Sequence, residues 1–387
     1  MYICMFVNNQ KINNMHKIFN SLALVVLLFS LSACNRGYTV YGEMPIEEFN
    51  GAKVYLRNIA DGSTIDSTVI ENGTFQFKGK APQSQIVSVF TAAPAGQYAS
   101  NIVLENGKIH INLVNDTLYG TPMNDLYYNS FTADTTVARM ESDLMAFTAK
   151  YYAAATPEEQ VAVAADYGVA MSAYEAYKLN QARKVYKKNK DNIVGAYALC
   201  EIVNSQDSGM DFHKLDSIMS RSGKAISDYE PLRMARKWLF NIANTSEGKK
   251  YVDVDGIDFA TGQPTKLSAM LSSDQVTLVD FWASWCGPCR KEISENLVRL
   301  YQKYSDKGLN IIGIDVWDKI PDHKKAVEDL GITYPQLIDT TRTATDNYGI
   351  NGIPAILLLD RDGKILKRNL RGDDIEPAIV EALANKE

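Results

Sequence analysis

The stretch "VDFWASWCGPCRKE" (279–292) constrains the chain more than any other. It places two of the five cysteines three residues apart, directly after the apolar run "VTLVDFW" (276–282) and directly before a helical stretch from about Pro288 to Tyr304. A short, almost wholly apolar run reads as a strand buried on both faces. Cys286 therefore leaves a buried strand and opens a helix. At a helix N-terminus the dipole and the free N–H groups favour a thiolate. Pro288 suits the first helical turn, where its missing N–H is not needed.

Three chemistries bring two cysteines this close. A zinc site needs about four ligands, usually as two pairs. After export, Cys200 is the only further thiol, and the histidines at 16, 110, 213 and 323 are scattered, which argues against zinc. A structural disulfide closing so small a loop removes little chain entropy. A reactive dithiol fits best, because the thiolate is the form that attacks a disulfide.

The surrounding region, 250–387, alternates strand and helix. "LNIIGIDV" (309–316), "AILLLD" (355–360) and "KILKRNL" (364–370) read as strands, with Asp362-Gly363 as a hairpin turn. "DHKKAVEDLG" (322–331) and "DIEPAIVEALANKE" (374–387) read as helices. This alternation predicts an α/β sheet.

The rest of the chain has a different texture. Residues 38 to about 117 predict an antiparallel β-sandwich. "STVIENGTFQFKG" (67–79) and "NIVLENGKIHINL" (101–113) each flank an Asn-Gly pair with alternating apolar residues, the signature of a type I′ hairpin. Asp61-Gly62 marks a third turn. Phe75 and Phe77, or Ile109 and Ile111, should face one side. Residues 125 to about 245 predict a helical segment, with Thr156-Pro157-Glu158-Glu159 as a helix start. Its Tyr and Met residues read as packing, and Cys200, in "YALCEIV", as a buried, inert thiol.

The N-terminus reads as a targeting segment. Lys11 and Lys17 precede "LALVVLLFSLSA" (22–33), which has the length of a signal-peptide core and is too short to span a bilayer comfortably. Met15 is the expected start. "LSAC" (31–34) resembles the lipobox of bacterial lipoproteins, in which the Cys becomes the acylated N-terminus. Cys34 is then the lipidation site, and 1–33 the signal peptide. The net charge of −6 would fall to −8 once Lys11 and Lys17 are removed. No basic block or basic aromatic face suggests nucleic acid.

"VDFWASWCGPCR" resembles the thioredoxin superfamily motif, and "YGINGIPAILLLDRDGKIL" (348–366) resembles the later segment of that family whose proline is cis. The insertion from about Trp317 to Gln336 resembles that of membrane-linked thioredoxins of the TlpA/ResA type. Residues 34–120 resemble the β domain that often precedes a thioredoxin-like domain in lipoproteins of Bacteroidota. The expected organisation is thus a signal peptide (1–33), a β-sandwich domain (34–120), a helical region (121–249) and a thioredoxin-like domain (250–387).

The resemblance implies a thiol-disulfide oxidoreductase whose redox disulfide is Cys286–Cys289. Cys286 would attack and Cys289 resolve. Asp280, matching the buried acid of the family, would carry the proton of Cys289. Trp285, Ile353 and Pro354 would shape the substrate surface, with Ile353-Pro354 cis. No cofactor or metal is implied. Expected partners are exported proteins bearing disulfides, a membrane thiol-electron transporter as reductant, and the membrane itself through the lipid, with the protein facing the periplasm. Gly-Pro between the cysteines resembles thioredoxin itself, a reductant near about −270 mV. Two other readings are a disulfide oxidase or isomerase, and a lipid-anchored binding module with a vestigial thioredoxin part. Ser294 stands where the family commonly has a helix-kinking proline, so a straighter helix is expected. The peroxiredoxin motif is absent, since Ala283 and Ser284 stand where it needs other residues.

Overall fold

A computed structural model of the chain describes residues 37–341 and 343–385. Cys34 and the whole of the apolar leader lie outside the described residues. Among the described residues, no helix is long and apolar enough to cross a membrane. The chain forms two compact units. Of the described residues, 37–210 and 217–233 form one, and 211–216 with those from 234 to 385 form the other.

The first unit holds two four-stranded sheets. In one, β1 (Tyr38–Glu43) lies between β4 (Thr74–Gly79) and β7 (Gly107–Asn112), with β8 (Thr117–Tyr119) at the edge. In the other the order is β3 (Thr64–Val69), β2 (Lys53–Asn58), β5 (Gln85–Ala93), β6 (Gly96–Leu104). Phe75, Phe77, Ile109 and Ile111 are all buried, as their alternation requires. The Asn72-Gly73 turn forms with both residues at positive φ (51° and 71°), and Glu71 and Thr74 exchange both backbone hydrogen bonds across it.

Asn106-Gly107 does not make the expected hairpin. β6 and β7 belong to different sheets, and β7 runs parallel to β1, so the sandwich is not wholly antiparallel. The Asn106 side chain instead brackets Ala81. It accepts the Ala81 N–H at 3.0 Å and donates to the Ala81 carbonyl at 2.9 Å. A side chain committed to the distant connection between β4 and β5 cannot close a local turn.

The helices of this unit begin at Pro122. Thr156 and Glu159 form the reciprocal capping box that starts the helix Pro157–Lys188. The helix Ile193–Asn204 buries nine of its residues, among them Cys200.

The second unit is built on a seven-stranded sheet. Its order is β10 (Pro264–Lys266), β9 (Asp255–Asp258), β13 (Gln336–Ile338), β12 (Leu309–Asp315), β11 (Val276–Trp282), β14 (Ala355–Leu359), β15 (Ile365–Arg368). β11, β12 and β13 are parallel; β14 runs antiparallel to β11, and β15 antiparallel to β14. Every residue of β11 and β12 is buried. Alternate residues feed two cores. Leu278, Trp282, Ile311, Ile356 and Leu358 pack with the helices on one face, and Val279, Phe281, Ile312, Ile314 and Leu357 pack on the other. β9, β10 and β13 were not expected. They are only three or four residues long, too short for a periodic signal.

The helix after the cysteines is not uniformly α. Gly287–Glu292 is α, Ile293–Leu297 is a π turn containing Ser294, and Val298–Tyr304 is α again. The stretch expected as a straighter helix for want of proline at Ser294 is thus interrupted by a π turn at that position. Without proline, the irregularity is made by an inserted residue in the backbone ladder.

Gly313 sits opposite Asp280 across β11 and β12. A methyl there would come within 2.3 Å of the Gln336 side-chain oxygen, which accepts the Trp282 indole N–H at 3.0 Å. Gly313→Ala is expected to destabilise this unit by about 1–3 kcal/mol through overpacking, read as a lower denaturant midpoint. An unchanged midpoint would show that Gln336 can be displaced without loss.

Candidate active site

β14 runs antiparallel to β11 with Ala355 opposite Phe281. Residues 353 and 354 therefore reach the end of β11 from which the cysteine turn departs. The Ile353-Pro354 bond is cis, and the Ile353 carbonyl oxygen lies 3.7 Å from Cys286 Sγ. Cys286 and Cys289 are joined by a disulfide. Cys286 is the N-cap of its helix, and its sulfur accepts the Cys289 backbone N–H at 3.2 Å. The N-cap position is where a sulfur gains from a free N–H group and from the helix dipole. Cys286 is 4% exposed and Cys289 wholly buried, so only the first offers an edge to solvent.

Asp280 follows the alternation of β11 onto the same face as Leu278 and Trp282, the face whose core also holds Cys286 and Cys289. It is 1% exposed, and its Oδ1 has no hydrogen-bond partner among the described residues. Burial pushes its ionisation up to about 8, with the Arg371 charge opposing and the Glu292 charge adding to the rise. Tyr334 is driven upward by its own burial and by Asp280.

Trp285 is 61% exposed, and its indole N–H donates to the Trp317 carbonyl at 3.1 Å. The geometry thus brings Cys286, Cys289, Ile353 and Pro354 together, with Asp280 in the core behind them and Trp285 at the surface. Cys200 belongs to the other unit. It is buried, and burial first, then Glu201, pushes its thiol up to about 12.

Two further side chains belong to this site. Glu292 accepts the Gly372 N–H with both carboxylate oxygens, at 3.2 and 3.1 Å. Its spacing of three from Cys289 puts both on one helix face, a signal present in the sequence. Arg371 donates to the Pro354 carbonyl and, at 2.7 Å, to the Leu370 carbonyl. Nothing local marks it, because its partner lies 17 positions earlier.

The Asp280 shift sets a pH dependence with a definite sign. A carboxyl raised from 3.8 to about 8 on folding keeps a proton that the unfolded chain has released. Its stability is complete below pH ~4 and is lost as pH rises through ~8, on the order of several kcal/mol at ~1.4 kcal/mol per unit. Asp280→Asn cannot ionise. Its advantage over the wild type should grow between pH 5 and pH 8, as measured by denaturant unfolding of the oxidised protein. Parallel pH dependences of the two proteins would remove the assignment.

Comparison with known proteins agrees with this geometry. Residues 248–368 match the AhpC/TSA family, and residues 38–127 match the domain of unknown function DUF4369. The chain is 34% identical over 90 residues to the thiol-disulfide oxidoreductase ResA of Bacillus thuringiensis (strain Al Hakam), covering 23% of this chain and 51% of that protein. It is 30% identical over 90 residues to ResA of Bacillus subtilis (strain 168), covering 23% and 49%. The chain thus spans about half the length of the curated relatives it matches. Among solved structures, the thioredoxin domain of a thiol-disulfide oxidoreductase from Bacteroides vulgatus is 32% identical, covering 35% of this chain and 96% of that one, with a TM-score of 0.33. The match to the AhpC/TSA family thus falls on residues 248–368, the part of the chain that carries the Cys286–Cys289 pair and the cis Ile353-Pro354 bond, and the DUF4369 match falls on residues 38–127.

Proposed function

We propose that the chain is a thiol-disulfide oxidoreductase acting as a reductase, exported and held at the membrane by acylated Cys34. The observation that carries the reading is the Cys286–Cys289 pair at a helix N-terminus beside the cis Ile353-Pro354 bond. In the reduced protein the Cys286 thiolate attacks one sulfur of a substrate disulfide. That bond breaks, a mixed disulfide forms, and the substrate's other sulfur leaves as a thiolate. In molecules whose Asp280 has first released its own proton, Cys289 gives its proton to the Asp280 carboxylate and attacks the Cys286 sulfur of the mixed disulfide, releasing the second substrate thiolate. The substrate has gained two electrons, and the protein now holds the internal disulfide. A carboxylate titrating near 8 suits this proton transfer at neutral pH.

The main chain at Ile353 and the ring of Pro354 line the approach to Cys286 and would receive an extended substrate segment, with exposed Trp285 beside it. A dithiol donor at the membrane would restore the reduced state, and exported proteins with disulfides would be the substrates. The lipid anchor rests on "LSAC" (31–34) and the apolar run before it.

Four measurements test this. Cys286→Ser should abolish reduction of insulin disulfides. Cys289→Ser should still attack, so cells expressing it should accumulate DTT-sensitive adducts that vanish when Cys286 is also Ser. Absence of adducts, with both single variants behaving as wild type in cells, removes the redox reading. The potential of the pair decides direction: about −270 mV fits a reductase, and about −120 mV fits an oxidase. For attachment, Cys34→Ala should move the protein from the membrane fraction or leave it unprocessed; identical fractionation with the wild type would exclude acylation.

A further inference from the structure

We propose that Asp318 is a positioning residue for the dithiol: its carboxylate ties the turn that delivers Cys286 to the segment leaving β12, so that the placement of the attacking sulfur is set from outside the CxxC motif. The inference rests on the oxidoreductase reading above.

The last residue of β11 and the three that lead to Cys286, Trp282–Trp285, are tied to residues 316–318 at three of these four positions. The Val316 N–H donates to the Trp282 carbonyl at 3.0 Å. The Trp285 indole N–H donates to the Trp317 carbonyl at 3.1 Å. Ser284 is held twice by one carboxylate: its backbone N–H donates to Asp318 Oδ2 at 2.5 Å and its hydroxyl to Asp318 Oδ1 at 2.9 Å. Only Ala283 lies outside this set, and its carbonyl accepts the Cys286 N–H at 3.1 Å, closing the turn. Hydrogen bonds to an ionised acceptor are stronger than neutral ones. Asp318 makes two of them within two residues of the nucleophile.

The holding segment is itself constrained. Trp317 has φ 58°, the left-handed region that a bulky residue adopts only when its surroundings impose it. The Asp318 Oδ1 also accepts the Lys319 N–H at 2.8 Å, which fixes the carboxylate's direction. Behind it stands a buried pair. His323 is wholly buried, its Nδ1 lies 3.3 Å from Asp315 Oδ1, and its ring packs on Trp282 with centroids 4.9 Å apart. Side-chain atoms of Asp315, Asp318 and His323 lie within 4.8 Å of one another. Asp318 thus has buried polar groups close behind it, while its own hydrogen bonds run to Ser284 and Lys319, so a shift of its carboxylate would be felt at Ser284.

The test follows the rate at which Cys286 of the reduced, full-length protein attacks 5,5′-dithiobis(2-nitrobenzoic acid), taken as the reaction phase absent from Cys286→Ser. Asp318→Ala should slow that phase about tenfold, the effect of losing a charge-assisted hydrogen bond. Asp318→Asn keeps an acceptor oxygen for Ser284 and should recover most of the rate, as rescue by a conservative change. Ser284→Ala removes only the hydroxyl bond and should slow the phase about threefold. Thermal unfolding is measured alongside. A lower midpoint with an unchanged rate in Asp318→Ala would make Asp318 merely structural and overturn the proposal. Should Asp318→Ala not fold, a wild-type rate in both Asp318→Asn and Ser284→Ala would overturn it equally. If the wild type itself lacks the Cys286 phase, the oxidoreductase reading fails instead, so the two failures are distinct.

Discussion

A carboxyl group shut away from water organises the second unit. Asp280 lies in the middle of β11, with β12 on one side and β14 on the other, and its position follows from the strand's period of two. Such a group is tolerated in an apolar interior chiefly as the neutral acid. The unit therefore holds a proton in its core, on the face that also packs the two cysteine sulfurs. Around that proton the other parts are placed by strand pairing. β14 brings the cis proline, β12 brings the segment that grips Ser284, and the helix after Cys286 brings Glu292. The chemistry and the instability thus share one origin, since the burial that tunes Asp280 also opposes its ionisation.

Most of this unit was legible in the sequence because its strongest signals are local. An apolar run of strand length, a cysteine spacing and an X-Pro bond in a family segment placed β11, the dithiol and the cis bond. The partners that complete the site were not legible, since they come from far along the chain. Asp318 reaches back 34 positions to Ser284, and Arg371 reaches 17 to Pro354. Proximity of that kind is decided by sheet order, which no single window of sequence contains. Glu292 is the intermediate case, since its helical spacing from Cys289 was there to be read.

In the first unit the same dipeptide led to opposite outcomes. Asn72-Gly73 makes its tight turn, while Asn106-Gly107 does not, because the Asn106 amide is occupied by Ala81. Turn chemistry is a local preference, and a buried backbone left without partners outweighs it. The parallel pairing of β1 with β7 follows from the same departure: the chain crosses to the other sheet after β6 instead of folding back on it.

Cys200 has a consequence for how the protein matures. Among the described residues there are three cysteines, Cys200, Cys286 and Cys289; they allow three alternative single bridges, and two of those would engage Cys200 with a cysteine of the CxxC pair. Burial, and then the Glu201 charge, push the Cys200 thiol up to about 12, so it is scarcely ionised at neutral pH. Exchange requires the ionised form, so the folded chain closes one bridge and leaves the other two combinations kinetically empty. Once the chain is folded, the inertness of a residue far from the chemistry in sequence thereby protects the Cys286–Cys289 bridge from exchange with the third described thiol.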